Sequence, residues 1–279
     1  MLINTIEDFV RWIPTASGSE WSALQPHVET AQLDLTRDLL GDDLVAAIKL
    51  LPVTDASRIV ANKLLAVSAY HAAIPFVDLV QTENGFAVVS NNNLAPASKE
   101  RVERLIGWCE GQIDGLTDLL ITLVMGNASL RAKWTLFEGF KDLVNCFFTT
   151  GKDFMNYINS PESLRRKEFM KHKAKLLSWQ ENIIAPVISK DYLTQLITEI
   201  RAKTFDPSSA IVINYCKLVL SALVAGDKNE AEGLLSKISN LLDAKLATYT
   251  AYAASEEYAL KNATRDVNKA DHPTFFFGL

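Results

Sequence analysis

The stretch from Val77 to Ser98, VDLVQTENGFAVVSNNNLAPAS, decides the fold predicted from this sequence. Apolar and polar residues alternate on both sides of Glu83-Asn84-Gly85, and Asn-Gly tolerates the positive φ angles of a type I′ turn. The pattern therefore predicts a β-hairpin over residues 77–90. An isolated hairpin is only marginally stable in water. We expect it either to cover its own helices or to contact another chain, and in the second case the contact residues are Asn84, Gly85 and Phe86.

The remainder of the chain predicts helices. Apolar residues recur at three-to-four spacing in 21–40 and 98–125 of the first half, and in 181–203, 208–225 and 228–262 of the second. Gly41 and Asp55 are expected as helix caps. Gly107, Gly111 and Gly115 lie on one side of their helix, and each costs about 1 kcal/mol relative to Ala. We expect another backbone to approach them closely.

A faint internal repeat links the two halves. At a constant offset of 152 residues, Glu29, Leu44, Ile48, Ser57, Ile59, Val60 and Asn62 match Glu181, Leu196, Ile200, Ser209, Ile211, Val212 and Asn214. The fold class predicted is therefore mainly α, with two related helical bundles, one inserted β-hairpin and an extended C-terminal tail. The expected domains are an N-terminal bundle (1–126, with the hairpin 77–90), a C-terminal bundle (127–265) and the tail (266–279).

The composition is that of a globular protein, with 279 residues, 48% of them hydrophobic and 22% charged. A net charge of −5 argues against a surface that binds nucleic acid throughout. Three widely spaced cysteines indicate ordinary buried thiols in a reducing compartment. No apolar run reaches about 18 residues, so we expect no membrane helix and no contact with a membrane.

Reactive patterns are few. The sequence has no phosphate-binding glycine loop and no nucleophile elbow, and its four histidines are isolated. Glu168 and His172 lie one helical turn apart, yet a metal site needs further ligands. We therefore expect no enzyme, no catalytic residues, no cofactor and no metal.

Two segments carry candidate binding residues. The first is a basic run that is either a solvated helix face or a contact with phosphate, packaged DNA or an acidic partner, through Arg165, Arg166, Lys167, Lys171 and Lys173. The second is the aromatic tail, which either folds back on its own bundle or docks on a neighbouring subunit or partner. Its candidate contacts are His272, Pro273, Phe275, Phe276, Phe277 and Leu279.

Three segments together resemble an uncharacterised family of proteins encoded by phages and prophages of Bacteroides-type bacteria. They are IEDFVRWIPTASGSEWSALQPHVETAQLDLTRDLLG, ENGFAVVSNNNLAPASKERVERLI and HPTFFFGL. Members of that family look like virion structural proteins. The predicted architecture is also similar to head–tail connector (adaptor) proteins, which form a ring beneath the portal and often dock on it through C-terminal tails; the second bundle departs from simple adaptors.

The resemblance implies a non-enzymatic component of the virion neck, assembled in the bacterial cytoplasm. Its expected partners are the portal protein, other neck and tail proteins, and copies of itself in a ring. One alternative is an intracellular helical adaptor of a prophage or host that binds another protein without entering a particle. A further alternative is a helical-bundle enzyme, which a convergent cluster of buried ionisable groups in a deep pocket would reveal.

Overall fold

The computed structural model describes residues 2–77, 79–82, 85–88, 98–158 and 164–262. Its contacts divide the chain into two compact units, one formed by Met1–Lys175 with Ile200–Thr204 and the other by Leu176–Glu199 with Phe205–Leu279. This division differs from the predicted boundary at 126/127, because residues 127–175 belong with the first unit. The predicted tail, 266–279, lies outside the described residues.

The first unit is built around one apolar helix, α4, which packs against α2 and α5. Helix α2 runs on into a π-helical segment, Thr36–Leu40, before Gly41 turns the chain. The helices are α1 Ile6–Val10, α2 Trp21–Leu35, α3 Asp42–Leu50, α4 Ala56–Val77, α5 Lys99–Gly126, α6 Ala128–Trp134, α7 Phe140–Leu143, α8 Gly151–Ile158 and the start of α9, Arg165–Trp179.

In the second unit, α13 packs against α10 and α12. After the end of α9 come a π-helical segment, Gln180–Ile184, and then α10 Ala185–Ile188, α11 Lys190–Ala202, α12 Pro207–Ala225, α13 Lys228–Ala244, α14 Thr250–Ala253 and α15 Glu256–Asn262. The prediction of single helices over 181–203 and 228–262 is wrong. The second of these folds back on itself, because Tyr252 Oη donates to Asp243 at 2.9 Å and Lys261 Nζ donates to the same carboxylate.

The predicted fold class is wrong in giving a β-hairpin a place in the architecture. About 80% of the structure is helix, and the core residues described in both units come from helices and the turns between them. Between α4 and α5 the described residues form a local antiparallel pairing of Leu79–Thr82 with Gly85–Val88. Its register opposes Thr82 to Gly85, so Gly85 belongs to a paired segment and not to the predicted turn. The organising element is α4.

The prediction that a backbone approaches the glycines of α5 is wrong, and so is the premise that no segment is apolar enough to cross a membrane. The absence of membrane contact stays a prediction. A Cβ added to Gly107, Gly111 or Gly115 would have no neighbour within 4 Å among the described residues, so no backbone there compensates for these glycines. By length and composition, the α4 segment Ala56–Phe76 and α12 are also long and apolar enough to cross a membrane. Both bury part of that length inside the protein, 44% and 39% of the most apolar window.

Both units contain a similar local succession of elements. A π-helical segment precedes a residue with positive φ, which is followed by a helix, an Asp cap and a long apolar helix. Gly41 follows its π segment directly, whereas the four-residue helix α10 lies between the π segment and Ser189. Gly41 (φ 73°, ψ 159°) and Ser189 (φ 74°, ψ 152°) have almost the same backbone conformation. Asp55 and Asp206 accept backbone N–H groups at the starts of α4 and α12, at 2.8 Å each. The predicted cap roles of Gly41 and Asp55 are confirmed.

The offset between the two halves of the predicted repeat is not constant in the structure. Ser57 and Ser209, both buried, keep the offset of 152, whereas Gly41 and Ser189 are 148 residues apart. Helix α11 has 13 residues and α3 has nine, so about one helical turn is added between these two points.

The shared conformation gives a matched pair of stability tests. Only glycine adopts it without strain, and Ser189 carries a penalty on the order of 1–3 kcal/mol. Ser189 Oγ accepts from Tyr192 N at 3.2 Å, but a cap serine replaced by glycine loses only a few tenths of a kcal/mol. We expect Ser189→Gly to raise the free energy of unfolding by about 1 kcal/mol, as measured by urea denaturation.

The reciprocal change, Gly41→Ser, is the control. It introduces the same strain and places a Cβ 2.8 Å from Phe137 Cβ, so it lowers stability. A Ser189→Gly variant less stable than the wild type would show that the backbone at Ser189 is not strained.

Candidate functional site

The structure describes the predicted binding residues only in part. Asn84 and the tail residues His272, Pro273, Phe275, Phe276, Phe277 and Leu279 lie outside the described residues. Gly85 and Phe86 belong to the second paired segment, for which the backbone alone is described. A role for these residues in binding a partner stays a prediction.

The basic run lies at the start of α9, and four of its five residues have partners inside the protein. Arg166 pairs with Asp118 at 3.3 Å, with only 15% and 8% of the two side chains exposed. Lys167 lies 3.7 Å from Glu110, and Lys171 lies 2.7 Å from Glu168. Lys173 Nζ donates to the carbonyl of Asp142 at 2.6 Å. The enclosed contacts of Arg166 and Lys173 stabilise the first unit, whereas Lys167 and Lys171 form exposed pairs and Arg165 is exposed.

Two cations, Lys173 from the basic run and Arg201 from α11, lie at the end of the short helix α7. Lys173 also reaches the carbonyl of Leu143 at 3.3 Å, and Arg201 Nε donates to the carbonyl of Val144 at 2.6 Å. Burial lowers the pKa of both Lys173 and Arg201. Cations at the C-terminus of a helix satisfy its free carbonyls and oppose the negative end of its dipole.

Two carboxylates on α5 hold the starts of two other helices. Asp118 Oδ2 accepts from Lys152 N in the first turn of α8 at 2.8 Å, and Asp118 Oδ1 binds Arg166. One turn earlier, Asp114 accepts from Arg166 N at 3.0 Å and Lys167 N at 2.7 Å in the first turn of α9. The two side chains therefore act as helix caps supplied from a distance.

The cysteines are buried, and His172 contacts a carboxylate of its own helix. The three cysteines are buried thiols outside any disulfide, as predicted, and burial raises the pKa of Cys109 to about 11. His172 Nε2 lies 3.2 Å from Glu168 Oε1, and a hydrogen bond from Lys171 is the main cause that lowers the pKa of Glu168. In the part of the chain that the structure describes, no group of three or more His, Cys, Asp or Glu residues could hold a metal ion.

The first unit has an open apolar cleft of about 510 Å³ between the end of α2, the start of α3 and the turn after α6. Leu33 and Leu136 line it and expose 69% and 64% of their surface. Phe137 forms its floor, fixed between two glycines where a Cβ would lie 2.8 Å (Gly41) and 2.6 Å (Gly139) from the Phe137 side chain. The rim carries charges of both signs, on Arg37, Asp42, Asp43, Lys133 and Glu138. Exposed apolar side chains with a polar rim are one kind of surface on which a protein can dock.

Sequence reasoning missed the cleft and the caps, although each left a signal. Leu33 lies off the apolar face of α2 that Leu24, Val28 and Ala31 bury. Asp114 and Asp118 share a face of α5 with the buried residues Ile121 and Met125. An apolar residue on the polar face of a helix indicates a contact outside that helix. A carboxylate on the apolar face indicates the same.

Comparison with known proteins gives one partial match. The model of a family described as a family of unknown function, DUF6712, matches residues 30–142. The matched segment is less than half of the chain and includes every residue named above for the cleft. No curated protein and no solved structure matches the chain.

The capping role of Asp118 gives a test on stability. Asp118→Asn puts an amide in place of one carboxylate oxygen and removes the negative charge beside the mostly buried Arg166. Because an unpaired buried charge is costly, we expect the free energy of unfolding to fall by about 3 kcal/mol in urea denaturation.

Glu100→Gln on the same helix is the matched control, since it breaks the exposed pair with Arg104 at 3.2 Å. Exposed pairs of this kind contribute about 0.3–0.5 kcal/mol. If Asp118→Asn were as mild as the control, the carboxylate would not be needed to hold α8 and α9.

Proposed function

We propose that this protein is a structural protein of a bacteriophage particle, a head–tail connector that joins the portal to the tail as one subunit of a ring. The resemblance of three of its segments to phage-encoded proteins supports the proposal, as does its construction from helical units. The observation that carries it is the apolar cleft of the first unit, because an assembly protein needs an exposed apolar face.

A ring requires a particular kind of contact. In a cyclic assembly of more than two subunits, one patch of each subunit meets a different patch of its neighbour. A concave cleft with two exposed leucines, Leu33 and Leu136, suits one side of such a contact. Its rim of mixed charge favours one orientation of the neighbour, because opposed like charges are unfavourable.

The aromatic tail completes the proposal. Phe275, Phe276 and Phe277 offer apolar surface, and burying one such side chain is worth about 1.5–3 kcal/mol. In a connector this tail anchors the subunit to the portal or to its neighbour. The basic run has a smaller part than the sequence indicates: of the cations of that run, Arg165 is exposed and has no ion pair to a described residue, which leaves it as the candidate for contact with packaged DNA.

The cleft also suits the intracellular adaptor, which would use it for a different protein. The two functions differ in where the chain is found and in what binds the cleft. They are distinguished by the composition of the particle and by the self-association of the purified chain.

We expect Leu136→Asp to impair self-association while leaving the fold unchanged. Leu136 is exposed in the single chain, whereas an aspartate in an apolar contact would be desolvated without a partner. The expected loss is at least about tenfold in the association constant, or about 1.4 kcal/mol per contact, measured by sedimentation velocity over a concentration series.

Leu50→Asp is the matched control, since Leu50 is 87% exposed and lies outside the cleft. Equal association of the two variants, with helical circular dichroism intact in both, would exclude the cleft as the contact between subunits.

Quantitative mass spectrometry of purified, nuclease-treated phage particles tests the location. We expect peptides of this chain at about the copy number of the portal protein. Absence from intact particles, with the protein abundant in the infected cell, would overturn the connector role and favour the intracellular adaptor.

A further inference from the structure

A second cavity, of about 300 Å³, lies in the first unit where the N-terminal segment and α1 meet the end of α3 and the start of α4. Its charged lining consists of Arg11, Lys49 and Arg58 against one carboxylate, Asp8. Its volume is at the lower end of the range for small-molecule sites.

The three cations of this pocket have no ion pair with a described residue, in contrast to most of the basic run on α9. Arg58 is held in place because its Nη1 donates to the carbonyl of Leu51 at 2.6 Å. Arg11 lies over the ring of Trp12, with 5.3 Å between the guanidinium carbon and the ring centroid. Positive charges gathered in a partly enclosed space repel one another, and an anion relieves that repulsion.

The pocket also contains an unused acceptor. Asn62 Oδ1 is enclosed and has no hydrogen-bond partner among the described residues. Buried polar atoms in folded proteins are almost always hydrogen-bonded, so this oxygen calls for a donor. Leu2, Ile3 and Trp12 form an apolar and aromatic wall in the same cavity.

We propose that this pocket binds a small phosphorylated molecule with a flat ring that donates hydrogen bonds, of the nucleotide class. A phosphate monoester carries a charge of about −1.5 to −2 at neutral pH, which balances three cations and one carboxylate better than a single carboxylate would. Lys49 and Arg58 take the phosphate, Trp12 stacks on the ring, and Asn62 Oδ1 accepts from a ring amino group. The inference is independent of the proposed role in the virion neck.

The test is isothermal titration of the full chain with adenosine monophosphate, adenosine and inorganic phosphate. We expect adenosine monophosphate to bind, and each of the other two to bind at least tenfold more weakly, because the pocket holds both ends of the ligand. Phosphate alone binding as tightly as adenosine monophosphate would overturn the role of Trp12 and Asn62. Absence of binding by all three would overturn the proposal.

Two substitutions locate the binding. Lys49→Met keeps the length of the side chain without its charge, and Asn62→Leu removes the acceptor. We expect each substitution to lower the affinity for adenosine monophosphate by at least tenfold. Lys63→Met, next to Asn62 on α4 but outside the pocket lining, is the control and leaves the affinity unchanged.

Circular dichroism and thermal melting of all three variants separate loss of binding from loss of the fold. A folded Asn62→Leu variant with wild-type affinity would place the ligand elsewhere.

Discussion

The first unit depends on two carboxylates that serve the starts of two helices. The first N–H groups of any helix lack a partner within it, and the helix dipole adds positive charge there. The starts of α8 and α9 touch, since a Cβ at Gly151 would overlap the backbone of Arg165. Two positive helix ends and the side chain of Arg166 therefore share a small volume. Asp114 and Asp118, one turn apart on α5, supply the negative charge and the acceptors that make this arrangement stable.

The partners of the charged side chains also distinguish two groups of cations. Arg166 and Lys173 belong to a basic run, which by itself indicates an anion site, yet each is already bound to a carboxylate or a carbonyl of the first unit. Arg11 and Lys49 are far apart in sequence and form no basic run, yet they line one cavity without an ion pair to any described residue. Capacity for an external anion follows from unsatisfied charge, which only the folded chain shows.

Local rules predicted what local chemistry controls. Gly41 and Asp55 cap helices as expected, because a positive φ and a free N–H group are properties of a few adjacent residues. The prediction failed where distant contacts decide the outcome. The 228–262 pattern is continuous, yet the chain turns back after Ala244 because Asp243 binds Lys261 and Tyr252. Cap residues and apolar periodicity thus identified most helices. The cleft depends on residues about 100 positions apart, and the remote caps depend on residues up to about 50 positions apart. Neither feature is visible in any single segment of the sequence.

The π-helical segment before Gly41 connects the fold to the proposed interface. It widens the last turn of the helix, so that Gly41 N donates to the carbonyl of Thr36 at 2.8 Å, five residues back. The carbonyl of Leu39 is then bound by Trp134 Nε1 at 2.7 Å, from α6. That bond holds α6 beside α3 and places Phe137 against Gly41, which must be glycine both for its φ and for the space that Phe137 occupies. The second unit also has a π segment, but the four-residue helix α10 follows it, and the positive-φ residue after α10 is Ser189 instead of glycine. The cleft therefore depends on the π segment of the first unit ending directly at Gly41, and the second unit does not share this ending.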